Sequence, residues 1–96
     1  MPRVIWSDNA VFGIQEAYRF LAGKDRDAAR AVAKVIKERA GVLRKFPEAG
    51  RPVDDLEPEH RELLIPFGGS GYVLVYEVLG DVVHILAVKH QKEAGY

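Results

Sequence analysis

The chain has 96 residues, 14 basic and 14 acidic side chains and no cysteine. This length fits one domain with a small core, and the zero net charge argues against general binding to nucleic acid. The absence of cysteine excludes disulfide bonds and thiolate metal sites, and the three histidines are too scattered for a metal site. We expect one cytoplasmic domain over residues 1–96, without signal peptide, membrane span, cofactor or metal.

Charge is distributed unevenly along the neutral chain. Residues 19–51 carry ten basic and four acidic side chains, whereas residues 54–62 carry five acidic side chains and one arginine. A basic helical region beside an acidic loop could dock an acidic partner. A solvated helix face is the alternative interpretation.

The first half of the sequence predicts one strand followed by two helices. Residues 3–6 (RVIW) are typical of a strand, and Ser7, Asp8 or Asn9 can cap the helix that follows. The apolar positions of this first helix recur at helical spacing: Val11, Ile14, Tyr18 and Leu21. Residues 25–46 predict a second helix with a longer stripe: Ala28, Val32, Val35, Ile36, Ala40, Leu43 and Phe46. Small residues along the helices favour an antiparallel hairpin.

The second half predicts a loop and three strands. Residues 47–60 contain three prolines and are interpreted as a surface loop. Strands are predicted over 61–67, 71–79 and 82–90. The order β-α-α-β-β-β defines an α+β fold in which an antiparallel sheet packs against a helical hairpin.

The two-residue link Gly80-Asp81 predicts the register of the last hairpin. The expected pairs are Leu79–Val82, Glu77–His84, Val75–Leu86, Val73–Val88 and Gly71–His90. The side chains predicted to face the helices are Tyr72, Leu74, Tyr76, Ile85, Ala87 and Lys89. The opposite face then carries an exposed apolar strip of Val73, Val75, Leu86 and Val88. Such a strip is typical of a binding surface, unless loop 47–60 covers it.

Several segments together resemble the RelE/ParE superfamily, the toxins of bacterial type II toxin–antitoxin modules, which include plasmid stabilisation modules. These segments are SGYVLVYEV, LRKFPEAGRP, Arg61 at the start of a strand, and ILAVKHQKE. The resemblance implies growth inhibition that a cognate antitoxin neutralises, with direct DNA binding only through the antitoxin.

The superfamily has two activities on one fold, so the fold alone does not define the function. RelE-like toxins cut mRNA on the ribosome with lysines and an arginine on the middle strands. The corresponding positions here are Leu64, Pro66 and Val73, which are apolar. The resemblance therefore favours ParE-like inhibition of DNA gyrase by binding, with a RelE-like mRNA endonuclease of diverged active site as the alternative.

The remaining polar residues supply the candidate site. The candidates for nuclease chemistry are Arg61, His90, Lys92 and Tyr96, and those for target contact are Lys89, His90 and Lys92. The predicted antitoxin contacts are Val73, Val75, Leu86, Val88 and Arg61.

Several of these side chains have a structural alternative. His90 at a strand end can make a structural hydrogen bond, and Arg61 can pair with an acid of 54–62. His84 opposite Glu77 indicates a surface pair. The parity of Tyr72 and Tyr76 makes them core residues.

Overall fold

The computed structural model describes residues 2–53 and 59–93. Its elements are β1 (Arg3–Trp6), α1 (Asp8–Ala22), α2 (Arg26–Val42), β2 (Arg51–Pro52), β3 (His60–Phe67), β4 (Ser70–Leu79) and β5 (Val82–His90). The predicted α+β class and the order of the helices and main strands are confirmed. The two-residue strand β2 was not predicted, and α2 ends four residues before the predicted end at residue 46.

Polar side chains begin both helices. The Ser7 hydroxyl accepts a hydrogen bond from the Ala10 N–H, and the Asp25 carboxylate accepts from Asp27 and Ala28. These caps satisfy N–H groups that have no partner inside a helix. No helix in the described part of the chain is long and apolar enough to cross a membrane.

Small residues form the buried faces of the helices. α1 buries Ala10, Ile14 and Ala17, and α2 buries Ala29, Val32, Ile36 and Ala40. The predicted stripe of α1 was partly wrong, because Val11 and Tyr18 are exposed. Alanine at the contact positions lets the helix backbone lie close to its neighbours, so the larger side chains on either side stay in solvent.

The five-stranded sheet has the order β1-β5-β4-β3-β2. The neighbouring long strands β3–β4 and β4–β5 pair antiparallel, as predicted, but β1 pairs in parallel with β5. The sheet is therefore mixed rather than fully antiparallel. β1 and β5 are not joined by a hairpin, and the connection between them is long enough to allow parallel pairing.

The last hairpin begins in the predicted register. Gly80 has a φ of 57°, which suits glycine at the first position of a two-residue turn. Leu79 pairs with Val82, and Glu77 pairs with His84.

A β-bulge then changes the register, so the other three predicted pairs were wrong. Beyond the bulge, Val75 pairs with Ala87, and the following pairs are Leu74–Val88, Val73–Lys89 and Tyr72–His90. The extra residue is Leu86, whose carbonyl accepts hydrogen bonds from the side chains of Ser7 and Asn9. One inserted residue exchanges the two faces of a strand. Val88 therefore faces the helices, while Ala87 and Lys89 lie on the other face.

The core lies between the helical hairpin and one face of the sheet. Its strand side chains are Leu63, Ile65, Tyr72, Leu74, Tyr76, Val83, Ile85 and Val88. Tyr72 and Tyr76 are buried as the parity of β4 predicts, and Trp6 packs against this cluster. Within the described residues the core contains no buried charged side chain.

Candidate functional site

A groove of about 920 Å³ separates α1 from the end of β5. Phe12 and Phe20 form its apolar wall and are 56% and 61% exposed. Its polar end carries Ser70, Lys89, His90, Lys92 and Glu93. Exposed aromatic side chains beside a concave surface are typical of a protein-binding site.

A glycine in α1 sets the width of this groove. A Cβ atom at Gly13 would overlap the Val88 carbonyl oxygen. The helix therefore lies directly against β5 at Gly13, and the preceding residue, Phe12, is on its exposed side. This contact joins positions that are distant in the chain, so no local sequence pattern reveals it.

His90 is held by hydrogen bonds on both ring nitrogens. The Lys92 backbone N–H donates to Nδ1 at 3.1 Å, and Nε2 lies 3.0 Å from the Ser70 hydroxyl oxygen. Because Nδ1 accepts a hydrogen bond, the proton of the neutral ring is on Nε2 and is donated to Ser70. The lone pair of His90 Nδ1 is thus occupied by a backbone hydrogen bond.

Tyr72 lies beneath this histidine. The two rings meet edge to face with their centroids 5.4 Å apart. Burial, with a smaller contribution from the Glu93 carboxylate, raises the pKa of Tyr72 above its ordinary value of 10.0. The phenol therefore stays protonated at neutral pH.

The cations at this end of the groove face solvent. Lys89 and Lys92 are exposed, and neither forms an ion pair within residues 2–53 and 59–93. Together with His90, they bring three of the predicted site residues to one place. Tyr96 lies outside the described residues.

The predicted exposed strip was wrong for two of its four members. Val88 is 6% exposed and belongs to the core, because the bulge turns it towards the helices. Val73 is fully buried, although it lies on the face opposite the helices. Val75 and Leu86 are half-buried, so they alone retain accessible apolar surface from that set.

The Arg61 side chain binds the backbone of a turn. Its guanidinium donates to the carbonyl of Gly50 at 2.7 Å and to that of Glu48 at 3.4 Å. The Tyr76 hydroxyl donates to the Pro47 carbonyl and accepts from the Gly50 N–H, each at 2.8 Å. Among residues 2–53 and 59–93, Arg61 has no acidic partner, and it does not line the groove. Asp54, Asp55 and Glu57 lie outside the described residues, so a pair with one of them stays a prediction.

The predicted surface pair of Glu77 and His84 is present and has a third member. His84 Nδ1 lies 3.2 Å from one Glu77 oxygen, and His60 Nε2 lies 3.3 Å from the other. Among the residues described, no cluster of three or more histidine, aspartate or glutamate side chains is arranged to hold a metal.

Comparison with known proteins agrees with this architecture. Residues 4–95 match the family described as the ParE toxin of the type II toxin–antitoxin system, parDE. Toxin RelE1 of Caulobacter vibrioides is 35% identical over 74 residues, which are 77% of this chain and 76% of that protein. Toxin RelE3 of the same organism is 35% identical over 75 residues, 78% of each chain.

A solved structure shares the fold. The chromosomal ParDE toxin–antitoxin system from P. aeruginosa superimposes with a TM-score of 0.75 over 94% of this chain and 96% of that one, at 16% identity. The fold and the matches define a small α+β toxin of the RelE/ParE superfamily. Within that superfamily, the chain belongs to the ParE toxin family of type II toxin–antitoxin systems. This membership implies a cognate antitoxin.

Proposed function

We propose that this toxin arrests growth in the cytoplasm by binding DNA gyrase and that it performs no chemistry of its own. The observation that carries the proposal is the hydrogen bonding of His90 in the groove, together with the burial of Tyr72 beside it. The lone pair of His90 accepts the Lys92 N–H, and Tyr72 is buried and protonated. Cleavage of RNA at its 2′-hydroxyl needs a free base and cations around the phosphate.

The middle strands support the same conclusion. Leu64 and Val73 pair with each other across β3 and β4, and Pro66 follows on β3. Apolar side chains cannot stabilise the negative charge of a phosphorane. These positions therefore do not supply the cations that such catalysis needs.

Lys89, His90 and Lys92 are the proposed target contacts. The lysines contribute charge, and His90 contributes a ring that hydrogen bonds hold in one orientation. Exposed lysines without ion pairs attract an acidic protein surface and raise the rate of association. The antitoxin neutralises the toxin by occupying the groove, where an apolar segment packs on Phe12 and Phe20 and covers these lysines. Val75 and Leu86 remain proposed antitoxin contacts on the open face of the sheet.

An mRNA endonuclease is the second candidate. The grouping of Lys89, His90 and Lys92 at one end of the groove favours it, because a nuclease needs cations beside a proton donor. In that case His90 would act as a general acid in its imidazolium form, donating the Nε2 proton, and its protonated Nδ1 would no longer accept the Lys92 N–H.

A pair of assays with purified toxin separates the two functions. We expect inhibition of gyrase supercoiling that the antitoxin relieves, and intact mRNA on programmed ribosomes. Cleavage of ribosome-bound mRNA with undisturbed supercoiling would instead establish the endonuclease.

A further inference from the structure

A second surface feature lies outside the groove, in the turn of residues 44–50, called here the Phe46 turn. Phe46 is 63% exposed, more than any other large apolar side chain in the described part of the chain. Arg44 and Lys45 precede it and are also exposed. A single exposed apolar residue is ordinary, so the case for a function depends on how this one is held.

The Phe46 turn is rigid although its aromatic ring is in solvent. The Phe46 N–H donates to the Val42 carbonyl, and the Ala49 N–H donates to the Phe46 carbonyl, each at 3.0 Å. Beyond them, Tyr76 and Arg61 bind the backbone of residues 47–50. A Cβ atom at Gly50 would lie 2.6 Å from the Glu62 carbonyl oxygen, so the chain is packed tightly here.

Rigidity matters because a preorganised side chain loses little entropy on binding. Two side chains from the sheet, the buried Tyr76 and the half-buried Arg61, form hydrogen bonds with the backbone of this turn. The fold thus holds the Phe46 backbone in place while its ring stays exposed to solvent. This arrangement is typical of an aromatic anchor that enters a pocket on a partner.

Charge around the turn indicates the chemistry of that partner. Residues 39–51 contain four basic side chains and one acidic side chain. Arg44 and Lys45 form no ion pair among the described residues. An acidic surface is the electrostatic complement of this turn.

An acidic protein fits better than nucleic acid. The chain as a whole has zero net charge, and the turn offers one aromatic ring rather than a row of stacking platforms. The Glu48 carboxylate also lies within the turn and would repel phosphate groups.

The turn is separate from the groove. Tyr76, which holds the turn, lies six residues along β4 from Ser70 at the polar end of the groove. At about 3.3 Å per residue this is about 20 Å. Phe46 does not line the groove, so a segment confined to the groove would leave it exposed.

We infer that the Phe46 turn is a second docking surface, at which Phe46 enters an apolar pocket on an acidic face of the toxin's target protein. This inference rests on the proposed function in taking that target to be a protein. It adds a contact that the groove and its lysines do not supply.

Binding of purified gyrase to folded toxin variants tests this surface. Phe46→Ala and the double variant Arg44→Glu/Lys45→Glu are each expected to weaken binding at least tenfold. Tyr18→Ala removes a half-exposed aromatic ring from α1, and Arg26→Glu/Lys37→Glu reverses the same charge on α2; both controls should bind as the parent does. Antitoxin affinity should not change in the Phe46 and Arg44/Lys45 variants. Circular dichroism and urea unfolding verify their fold.

Growth arrest after induction keeps the test independent of gyrase. If the parent toxin arrests growth without binding gyrase, the proposed target is wrong, and the arrest by Phe46→Ala decides the inference. Loss of arrest supports the second docking surface. Growth arrest by Phe46→Ala equal to that of the parent overturns the inference. It is also overturned if the Phe46 or Arg44/Lys45 variant loses affinity for a DNA or RNA duplex but binds the target protein as the parent does.

Discussion

At the scale of single residues, Gly13 links the packing of a helix to the shape of the binding groove. Glycine in a helix interior usually costs about 1 kcal/mol relative to alanine. Here the missing side chain lets α1 touch the Val88 carbonyl, so the cost is offset by a close contact between elements. The sequence alone does not reveal this contact, because the residues next to Gly13 in the chain do not indicate that glycine is needed there.

Gly13→Ala is therefore expected to destabilise the fold by about 1–3 kcal/mol, the range found for overpacking. Gly41→Ala is the matched control, since Gly41 is also in a helix and a Cβ there would meet nothing within 4 Å. That variant should be neutral or more stable by up to about 1 kcal/mol. Urea unfolding of the two variants measures the difference. Equal stabilities would show that α1 does not need this contact.

Tyr76 gives a second residue-scale prediction. Tyr76→Phe leaves the buried Gly50 N–H without its acceptor and should cost about 1–3 kcal/mol. Tyr18→Phe on the exposed side of α1 is the control and should be neutral. Thermal or urea unfolding checks both, and a silent Tyr76→Phe variant would contradict the role of the hydroxyl in holding the turn.

The pH dependence of stability follows from the same side chain. Burial is the main cause that raises the pKa of Tyr76 above 10.0. The folded state therefore holds the phenolic proton more tightly than the unfolded chain does. This contribution to stability is complete below pH 10 and falls as the pH rises further. The Tyr76→Phe variant should lose that part of the alkaline slope, and a slope equal to the parent's would contradict the assignment.

At the scale of elements, the predictability of each strand depended on where its partners lie in the chain. The boundaries of β1 and β5 were predicted correctly because apolar patterning and the Gly80-Asp81 turn are local signals. The bulge at Leu86 was missed because it is fixed by Ser7 and Asn9, far away in sequence. The one-residue register shift at this bulge turns Val88, a member of the predicted exposed strip, into the core.

The aromatic wall of the groove was missed for a related reason. Phe12 and Phe20 lie outside the apolar stripe used to orient α1. Phe12, Glu16 and Phe20 are spaced four residues apart, so they lie on one face of a helix. This spacing was the sequence signal that could have indicated a second functional face of α1. In contrast, Lys89, His90 and Lys92 are close together in the chain, so the sequence alone predicts that they share one end of the molecule.

Ser7→Ala tests the junction between α1 and the bulge. The change removes the helix cap and one of the two side-chain hydrogen bonds to the Leu86 carbonyl. Caps typically contribute about 1 kcal/mol, so we expect a loss of about 1–2 kcal/mol in unfolding free energy. Asn9→Ala removes only the other hydrogen bond to Leu86 and should cost less. The reverse order of the two variants would refute this account of the junction.

At the scale of the whole molecule, we propose that the groove connects neutralisation to toxicity. If the antitoxin packs on Phe12 and Phe20, Phe12→Ala and Phe20→Ala should each weaken the complex at least tenfold without unfolding the toxin, since both side chains are mostly exposed. Titration calorimetry with the purified antitoxin measures this. Leu79→Ala, a half-exposed side chain at the far end of β4, is the control. Unchanged affinity in both phenylalanine variants would move the antitoxin to another surface.

The central claim is that toxicity depends on binding rather than on proton transfer. Growth arrest by His90→Asn, compared with that by Lys89→Ala/Lys92→Ala, tests it most directly. The asparagine oxygen can replace Nδ1 as acceptor of the Lys92 N–H, while the ionisable ring is lost. We predict that His90→Asn keeps growth arrest within a few-fold of the parent and that the double lysine variant loses most of it. A loss of roughly 10²–10⁴-fold in His90→Asn, the usual contribution of a general acid or base, with arrest retained in the lysine variant, would contradict the account.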